Sequence, residues 1–339
     1  MVLVLIVVVS YVLTKFVERA QIEVQAEGFY LERANLKLDA WGMLEVAVAV
    51  LADVKAIDGA LYSESQGWAE PLDYSGVQPR EGLNVTFEFI DETSKLSINE
   101  MDEGALILLF DEIGLDLSEA QKLTNVLLDW VDEDDLARID GGESGEYSSS
   151  KMPMTPANQA LGSLRELYYL IGYRDLLFDD TGNPNDIYEL LENAVTTFPT
   201  SQLNVNTAEP LALQALAGLD DIMIDTIDTF RSGLDGVVGT ADDVYFESTQ
   251  EFTDLVGDIA GIGNLLTTQI NIMTIKVTVQ EAGSAYTLIG VVNTQTQAAG
   301  GDSETSQLQY PFVFLEVREE ATMNTGSPKE PNSEGITSV

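Results

Sequence analysis

The stretch LDWVDEDDLARIDGGESGEY sets Asp129, Asp132, Asp134 and Asp135 at the close of a helical run that carries Leu123, Val126, Leu127 and Trp130. Gly141 and Gly142 then permit a turn that returns Glu143 and Glu146 toward those acids. Carboxylates gathered on one loop repel one another unless a hard cation sits among them. Ca2+ takes about six to eight oxygen ligands from carboxylates, backbone carbonyls and water, and this segment offers that supply. Structural calcium binding is therefore the chemistry expected here, against the plainer reading of a solvated acidic helix end. A second candidate, SGLDGVVGTADDVYF, places Asp235, Thr240, Asp242 and Asp243 around glycines, in a spacing that is not an EF-hand. Its plainer reading is an ordinary Gly-Asp turn. In the third acidic segment, FDDTGNPND, Gly182, Asn183 and Pro184 read as a turn, with Asp180 and Asp186 as helix caps or surface groups.

Other chemistries are removed by absence. The chain has no histidine and no cysteine, so it supplies no imidazole base, no Ser-His-Asp triad, no thiolate and no His or Cys metal ligand. The lack of cysteine fits a cytoplasmic protein and equally a periplasmic one without disulfides. Asp134 and Glu143 could serve as an acid and base pair for glycoside cleavage, but the acids crowd too closely for a spaced dyad. The tryptophans Trp41, Trp68 and Trp130 are scattered rather than gathered in a sugar groove, and Trp130 shares a helix face with Leu127, which suits a core role. With 57 acidic against 16 basic residues, a formal charge of −41 repels nucleic acid and anionic lipid heads. A hydrophobic content of 45% nonetheless belongs to a folded chain, so the acids decorate a structure.

The elements that must hold these acids begin with MVLVLIVVVSYVL, an uncharged run too short for the roughly 20 residues of a membrane span. It lacks the basic region and cleavage site of a secretory signal. No proline follows until Pro71, so one helix over residues 2–56 is expected, on the order of 80 Å long, with an amphipathic second part carrying Leu36, Met43, Leu44, Val48 and Leu51. A long spine with an oily tip is the form of a pilin; a simple membrane tail on a periplasmic protein is the alternative. LNVTFEFI alternates as a half-buried strand, and KLSI beyond Glu92, Thr93 and Ser94 suggests its hairpin partner. Helical spacing runs through residues 104–130, 158–172, 186–196, 207–231 and 249–268, and strands return in INIMTIKVTVQ, AYTLIGVVNTQT and LQYPFVFLEVRE.

Within the helical part, LNVNTAEPLALQALAGLDDIMIDTIDTFR looks like half of a helix-hairpin-helix module. Asp220 and Asp221 at its turn oppose phosphate binding, and so does the absence of Lys or Arg near a second turn at Ala260, Gly261, Ile262 and Gly263. The module is expected to be structural, with Leu211, Leu213, Leu216, Ile222, Ile224 and Ile227 as a core stripe and Asn206 and Thr207 capping a helix that opens at Ala208. The fold class expected is α+β: a pilin-like long N-terminal helix and a small antiparallel sheet, with a large all-α domain inserted in the sheet. The boundaries are 1–56 for the helix, 57–100 for the first part of the head, 101–268 for the inserted domain with its acidic loops, 269–321 for the closing strands and 322–339 for a tail expected to be disordered.

The order of FEFIDETSKLSIN, LLDWVDEDDLARIDGGESGEY, PANQALGSLRELYYLIGY and LNVNTAEPLALQALAGLDD behind the spine resembles the K-type minor pseudopilin of the type II secretion system, the general secretion pathway protein K family. Its most specific parts are the Asp129, Trp130, Asp132 run with the later Gly-Glu-Tyr, and Asn158, Ser163, Leu164, Glu166, Leu167, Ile171, Gly172 and Tyr173. The resemblance implies a non-enzymatic subunit at the tip of the pseudopilus that initiates or caps assembly for export of folded proteins across the outer membrane. Minor pseudopilins I and J, the other filament pseudopilins and the inner-membrane assembly platform would be its partners, with no nucleic acid. It also implies calcium in the inserted domain, a single N-terminal helix in the inner membrane and a periplasmic head. Family precursors open on a basic leader cut after glycine; nothing basic precedes Val2, which implies a different start or a leader already removed. The alternatives are a minor pilin of a type IV pilus and a periplasmic carbohydrate-active enzyme.

Overall fold

The computed structural model describes residues 2–148, 153–238, 240, 242–257, 263–295 and 311–320, with side chains of the first helix from Ser10 onward. The tail from Thr322 and three residues of the second turn, Ala260, Gly261 and Ile262, lie outside the described residues.

With no proline to break it, α1 (Val2–Asp58) runs as one helix, on the order of 85 Å at about 1.5 Å per residue. It stops where Gly59 takes a left-handed φ of 86° and its amide bonds the Lys55 carbonyl at 2.9 Å. Along its second half Leu36, Ala40, Leu44, Ala47, Val48, Leu51 and Val54 recur at helical spacing and are all buried, while Met43 is half-buried. Along its first half Tyr11, Phe16, Ile22, Val24 and Phe29 face solvent. No helix among the described residues is long and apolar enough to cross a membrane.

After α2 (Pro71–Ser75) comes β1 (Asn84–Asp91), then β2 (Leu96–Ser97), α3 (Glu103–Glu112), α4 (Leu117–Val131), α5 (Ser144–Ser148), α6 (Tyr173–Leu177) and α7 (Asp186–Ala194). The chain continues through β3 (Val195–Thr196), β4 (Leu203–Asn204), α8 (Pro210–Ala217), α9 (Asp221–Arg231), α10 (Thr249–Val256) and β5 (Leu266–Thr267). It closes with β6 (Ile272–Glu281), β7 (Ser284–Asn293) and β8 (Val313–Glu320). A four-stranded sheet in the order β1-β6-β7-β8 is antiparallel throughout. Everything between β1 and β6 is therefore an insertion between neighbouring strands. The class is α+β, a pilin-like helix and sheet carrying a helical domain.

Each part has its own core. Met273, Ile275, Val277 and Val279 of β6 and Tyr286, Leu288 and Val292 of β7 meet the buried stripe of α1. Full burial of one such aliphatic side chain stabilises by about 1.5–3 kcal/mol. Gly290 of β7 lets Leu44 and Phe314 close over the strand, since an added Cβ would stand 3.0 Å from one and 3.1 Å from the other. The second core joins α3, α4, α6, α7, α8 and α9 through Leu106, Phe110, Val126, Tyr173, Leu191, Leu213 and Ile227.

Where the insertion leaves the sheet, polar side chains fasten the two segments. Asp91 ends β1 and accepts from the Thr93 amide at 2.7 Å, Asn204 Nδ2 at 2.8 Å and Thr207 Oγ1 at 2.6 Å. Glu92, only 7% exposed, accepts from Thr196 Oγ1 at 2.6 Å and Thr274 Oγ1 at 2.7 Å. The Thr93 hydroxyl accepts from the amides of Asn271 and Ile272 at 2.8 and 3.0 Å, tying the returning chain to the departing one.

This junction explains one departure from the sequence reading. KLSI is not the hairpin partner of β1: a capped 3-10 turn at Glu92–Ser94 redirects the chain, and β2 pairs in parallel with β3 inside the insertion. Other departures follow from single residues. The helical run 104–130 breaks at Gly114, where φ is 92°. Of 158–172 a 3-10 stretch, Leu164–Tyr169, forms. The helix expected from Ala208 starts at Pro210, because Asn206 is committed elsewhere: its Nδ2 donates to the carbonyls of Phe246 and Thr268, both at 2.9 Å. Ile222 is 76% exposed and outside the core stripe, since it lies on the first turn of α9 opposite Ile224 and Ile227. At the turn between α8 and α9, Asp220 caps α9 by accepting the Met223 amide at 2.9 Å, so its carboxylate occupies the position a phosphate would need.

Two expected outcomes test this packing. Replacing Gly290 by Val forces Leu44 and Phe314 apart and costs about 1–3 kcal/mol, read as a lower urea midpoint with unchanged slope. Burial pushes the Asp91 carboxyl up to about 6, against the pull of the hydroxyl, amide and backbone donors around it. A folded pKa above the ordinary value means that protonation stabilises: the gain is complete below about 4 and is lost as pH rises through about 6. Urea melts at pH 4.5 and 7 should therefore show the native chain gaining on Asp91→Asn as pH falls; a difference independent of pH would contradict the assignment.

Candidate metal centre

The acidic loop hangs from the C-terminal end of α4, whose last turn buries Asp129 completely and leaves Trp130 5% exposed against Tyr147. Asp129 acts inward. Its Oδ2 accepts the amides of Arg138 at 3.0 Å and Gly142 at 2.9 Å, and its Oδ1 accepts Arg138 Nη1 at 2.6 Å. The loop thus folds back over this carboxylate, and Gly141 is obligatory because a Cβ there would lie 2.0 Å from Asp129 Oδ2. Two amides steady the outside: Asn125 Nδ2 holds the Ile139 carbonyl at 2.9 Å, and Asn158 Nδ2 holds that of Asp134 at 3.4 Å.

That fold-back brings Asp132, Asp134 and Glu143 together, with one carboxylate oxygen of each lying within 4.8 Å of the others. Glu143 is 2% exposed, and neither of its oxygens has a hydrogen-bond partner among the described residues. Asp132 is divided in its use: Oδ2 accepts Arg138 Nη1 at 2.6 Å, whereas the buried Oδ1 has no partner among the described residues. Buried carboxylate oxygens without donors are costly, and they cluster here facing like charge. Burial and the charges of Asp129, Asp132, Asp135 and Asp134 push the Glu143 carboxyl up to about 7. A hard divalent cation would satisfy all three residues at once, so the donor set fits Ca2+.

Asp134 also serves the backbone, as do Asp135 and Glu146. Asp134 Oδ1 accepts the Leu136 amide at 2.8 Å, Asp135 Oδ1 the Ser144 amide at 3.3 Å, and Glu146 Oε2 the Glu143 amide at 3.1 Å. Of the six acids singled out from sequence, three face one another and Asp129 positions them. Arg138 was the residue missed: the lone cation in LDWVDEDDLARIDGG was visible as a charge partner, but its bridge between Asp129 and Asp132 depends on the turn.

The second loop closes on itself. Asp242 Oδ2 accepts the amides of Leu234 at 2.8 Å and Asp235 at 3.2 Å, and Oδ1 accepts Thr240 Oγ1 at 2.8 Å, bonds that hold its carboxyl below the ordinary range. Asp235 Oδ1 takes the Val237 amide at 2.8 Å, and Thr240 Oγ1 reaches Asp243 Oδ1 at 3.3 Å. Among the described residues no grouping of three carboxylates forms here. In the third segment Asp179 builds the turn through Thr181 and Asn183, and Asn185 caps α7, so neither Asp180 nor Asp186 is the cap.

A spine helix laid on an antiparallel sheet, with an acid-bearing helical domain inserted between neighbouring strands, defines a pilin-like fold with a large insertion. The family model described as type II secretion system (T2SS), protein K, matches residues 86–180, from within β1 to beyond the acidic loop. The chain is 24% identical over 226 residues to the type II secretion system protein K of Pectobacterium carotovorum subsp. carotovorum, covering 60% of this chain and 66% of that one. It is 25% identical over 154 residues to the putative type II secretion system protein K of Escherichia coli (strain K12), over 42% of this chain and 43% of that one. The matches thus span two thirds or less of either relative's length. A chain in the crystal structure of the GspK-GspI-GspJ complex from the enterotoxigenic Escherichia coli type 2 secretion system shares the fold, with a TM-score of 0.59 and 14% identity, over 88% of this chain and all of that one. Over residues 86–180 the chain is similar to the type II secretion system protein K family, and the similarity of fold extends beyond that segment.

Chelation tests the centre directly. EDTA should lower the melting temperature of the native chain and Ca2+ should restore it. Glu143→Gln, which removes the repelled charge, should raise the melting temperature of the chelated protein and abolish the calcium increment. A native chain whose melting ignores both reagents would leave the three carboxylates without an ion.

Proposed function

We propose that the chain is the minor pseudopilin at the tip of the type II secretion pseudopilus, a structural rather than catalytic subunit that initiates or caps assembly with pseudopilins I and J for export of folded proteins across the outer membrane. The observation that carries this reading is the insertion of a domain with its own core between β1 and β6 of a pilin-like head. Such bulk suits the end of a filament better than its repeating interior. The fold shared with a chain of a complex named for GspK, GspI and GspJ supports the same two partners.

The exposed apolar residues of α1, among them Tyr11, Phe16, Ile22 and Phe29, suit packing against equivalent helices of other pseudopilins. Before assembly this segment would lie in the inner membrane, engaged with the assembly platform there, and the head would stand in the periplasm. Calcium held by Asp132, Asp134 and Glu143 would neutralise their repulsion and fix the loop that Asp129 shapes. It supplies charge compensation and takes no part in a reaction.

Affinity purification of the chain with purified I and J pseudopilins is expected to give a stoichiometric ternary complex. Removal of the gene should abolish export of the secreted substrates while leaving their synthesis intact. A chain that bound neither sibling, or whose loss left export unchanged, would overturn the reading.

A further inference from the structure

A cleft of about 490 Å3 opens between the outer edge of the sheet and the inserted domain, apart from the acidic loop. One wall is the last half of β1, residues 88–91; residues 192–193 and 206–209, with Arg231 and Asp243, line it from the insertion. Among the described residues, β1 has β6 as its single neighbour in the sheet. Among the described residues, no backbone group of Glu88, Phe89 or Ile90 bonds to any segment other than β6. The outward amides and carbonyls of these residues are therefore a template for another strand.

The side chains around that edge fix what could pair with it. Six carboxylates, from Glu64, Glu88, Asp91, Glu192, Glu209 and Asp243, line the cleft against two cations. Both cations are engaged with carbonyl oxygens: Lys95 Nζ donates to Glu192 at 2.8 Å, and Arg231 donates to Val205 at 3.1 Å and to Ala208 at 2.9 Å. Lys276 lies 3.5 Å from Glu88 and relieves that one acid. Partial burial, and then the charges of Asp243 and Glu70, push the Glu64 carboxyl up. The wall also holds Trp68, 2% exposed, whose ring stands edge-on to Phe89 at 5.3 Å and whose Nε1 has no acceptor among the described residues.

We propose that this cleft binds an extended, lysine- or arginine-bearing segment of another polypeptide chain, added beside β1 as a further strand of the sheet. Main-chain bonds to the free edge supply affinity, and the carboxylates select cationic side chains at alternate positions. The exposed half of β1 has room for about four residues at roughly 3.3 Å each, so the recognised element is short. This inference does not rest on tip placement: it requires the cleft and the edge alone.

A chain of charge −41 attracts any cationic peptide, so the test must separate pairing from attraction. The probe is a fluorescein-labelled octapeptide of alternating lysine and valine, titrated into the full chain at about 150 mM salt and followed by anisotropy. Its control has the same sequence with alternate backbone nitrogens methylated, which keeps the charge and removes the strand donors. The expected result is saturable binding by the probe and binding weaker by about tenfold or more for the methylated peptide. Glu192→Lys with Glu209→Lys alters two exposed side chains, of which Glu209 makes no capping bond, and should weaken the probe by a similar factor with the fold intact by circular dichroism. Absence of saturable binding, equal affinity for the methylated peptide, or affinity unchanged in the double variant would each overturn the proposal.

Discussion

The structure depends on a polar fastening at one point. A domain inserted between neighbouring antiparallel strands must leave from the end of β1 and return at the start of β6 without prising them apart. Thr93 solves this by accepting the amides of Asn271 and Ile272, so the departing chain satisfies donors that the returning chain would otherwise expose. Glu92 adds a bridge of a different reach, because its two oxygens accept from Thr196 in the insertion and Thr274 in β6. A buried carboxylate without such donors would cost several kcal/mol. With them it orients both domains, since each hydroxyl has one position from which it can donate.

The acidic loop obeys the opposite logic. Asp129 is fully buried and fully used, so it behaves as a template that the loop folds around. Asp132 and Glu143 are left with oxygens that nothing among the described residues donates to. A loop built only for stability would pair these oxygens with backbone amides, as Asp135 and Glu146 are paired. That the most buried acid facing the cluster, Glu143, is also the one without donors is what distinguishes this loop from the self-satisfied turn around Asp242.

Long-period patterns were legible from sequence, and single-residue decisions were not. The spine and the sheet strands were readable because each repeats one signal over many residues: Leu36 to Val54 at helical spacing, and Val85, Phe87 and Phe89 at period two. KLSI misled because two residues of strand pairing carry no register information, and the turn before it is set by Asp91 and Thr93 side chains rather than by glycine or proline. Asn206 reads as a helix cap in isolation, yet it holds Phe246 and Thr268 from distant sequence. At the acidic loop the residue types were legible, and the division of labour among them was not. Whether an aspartate faces a metal or a backbone amide is decided by the path of the turn, which Gly141 permits and Arg138 completes.

The helical domain and the sheet keep separate cores, and the junction, together with the stack of Tyr62 on Tyr245, couples them. Apolar contacts fade gradually when one partner shifts, whereas the bonds of Asp91, Glu92 and Thr93 need their donors within a narrow range of distance and angle. The junction therefore transmits orientation well and expansion poorly. Disturbance of the acidic loop would be absorbed first by α4, α5 and the surrounding helical core, the local unit that the loop belongs to. Only a change large enough to displace Thr196, Asn204 or Thr207 would reach β1, because those are the residues of the insertion that Asp91 and Glu92 hold. An ion in the loop would thus act first on the integrity of the inserted domain.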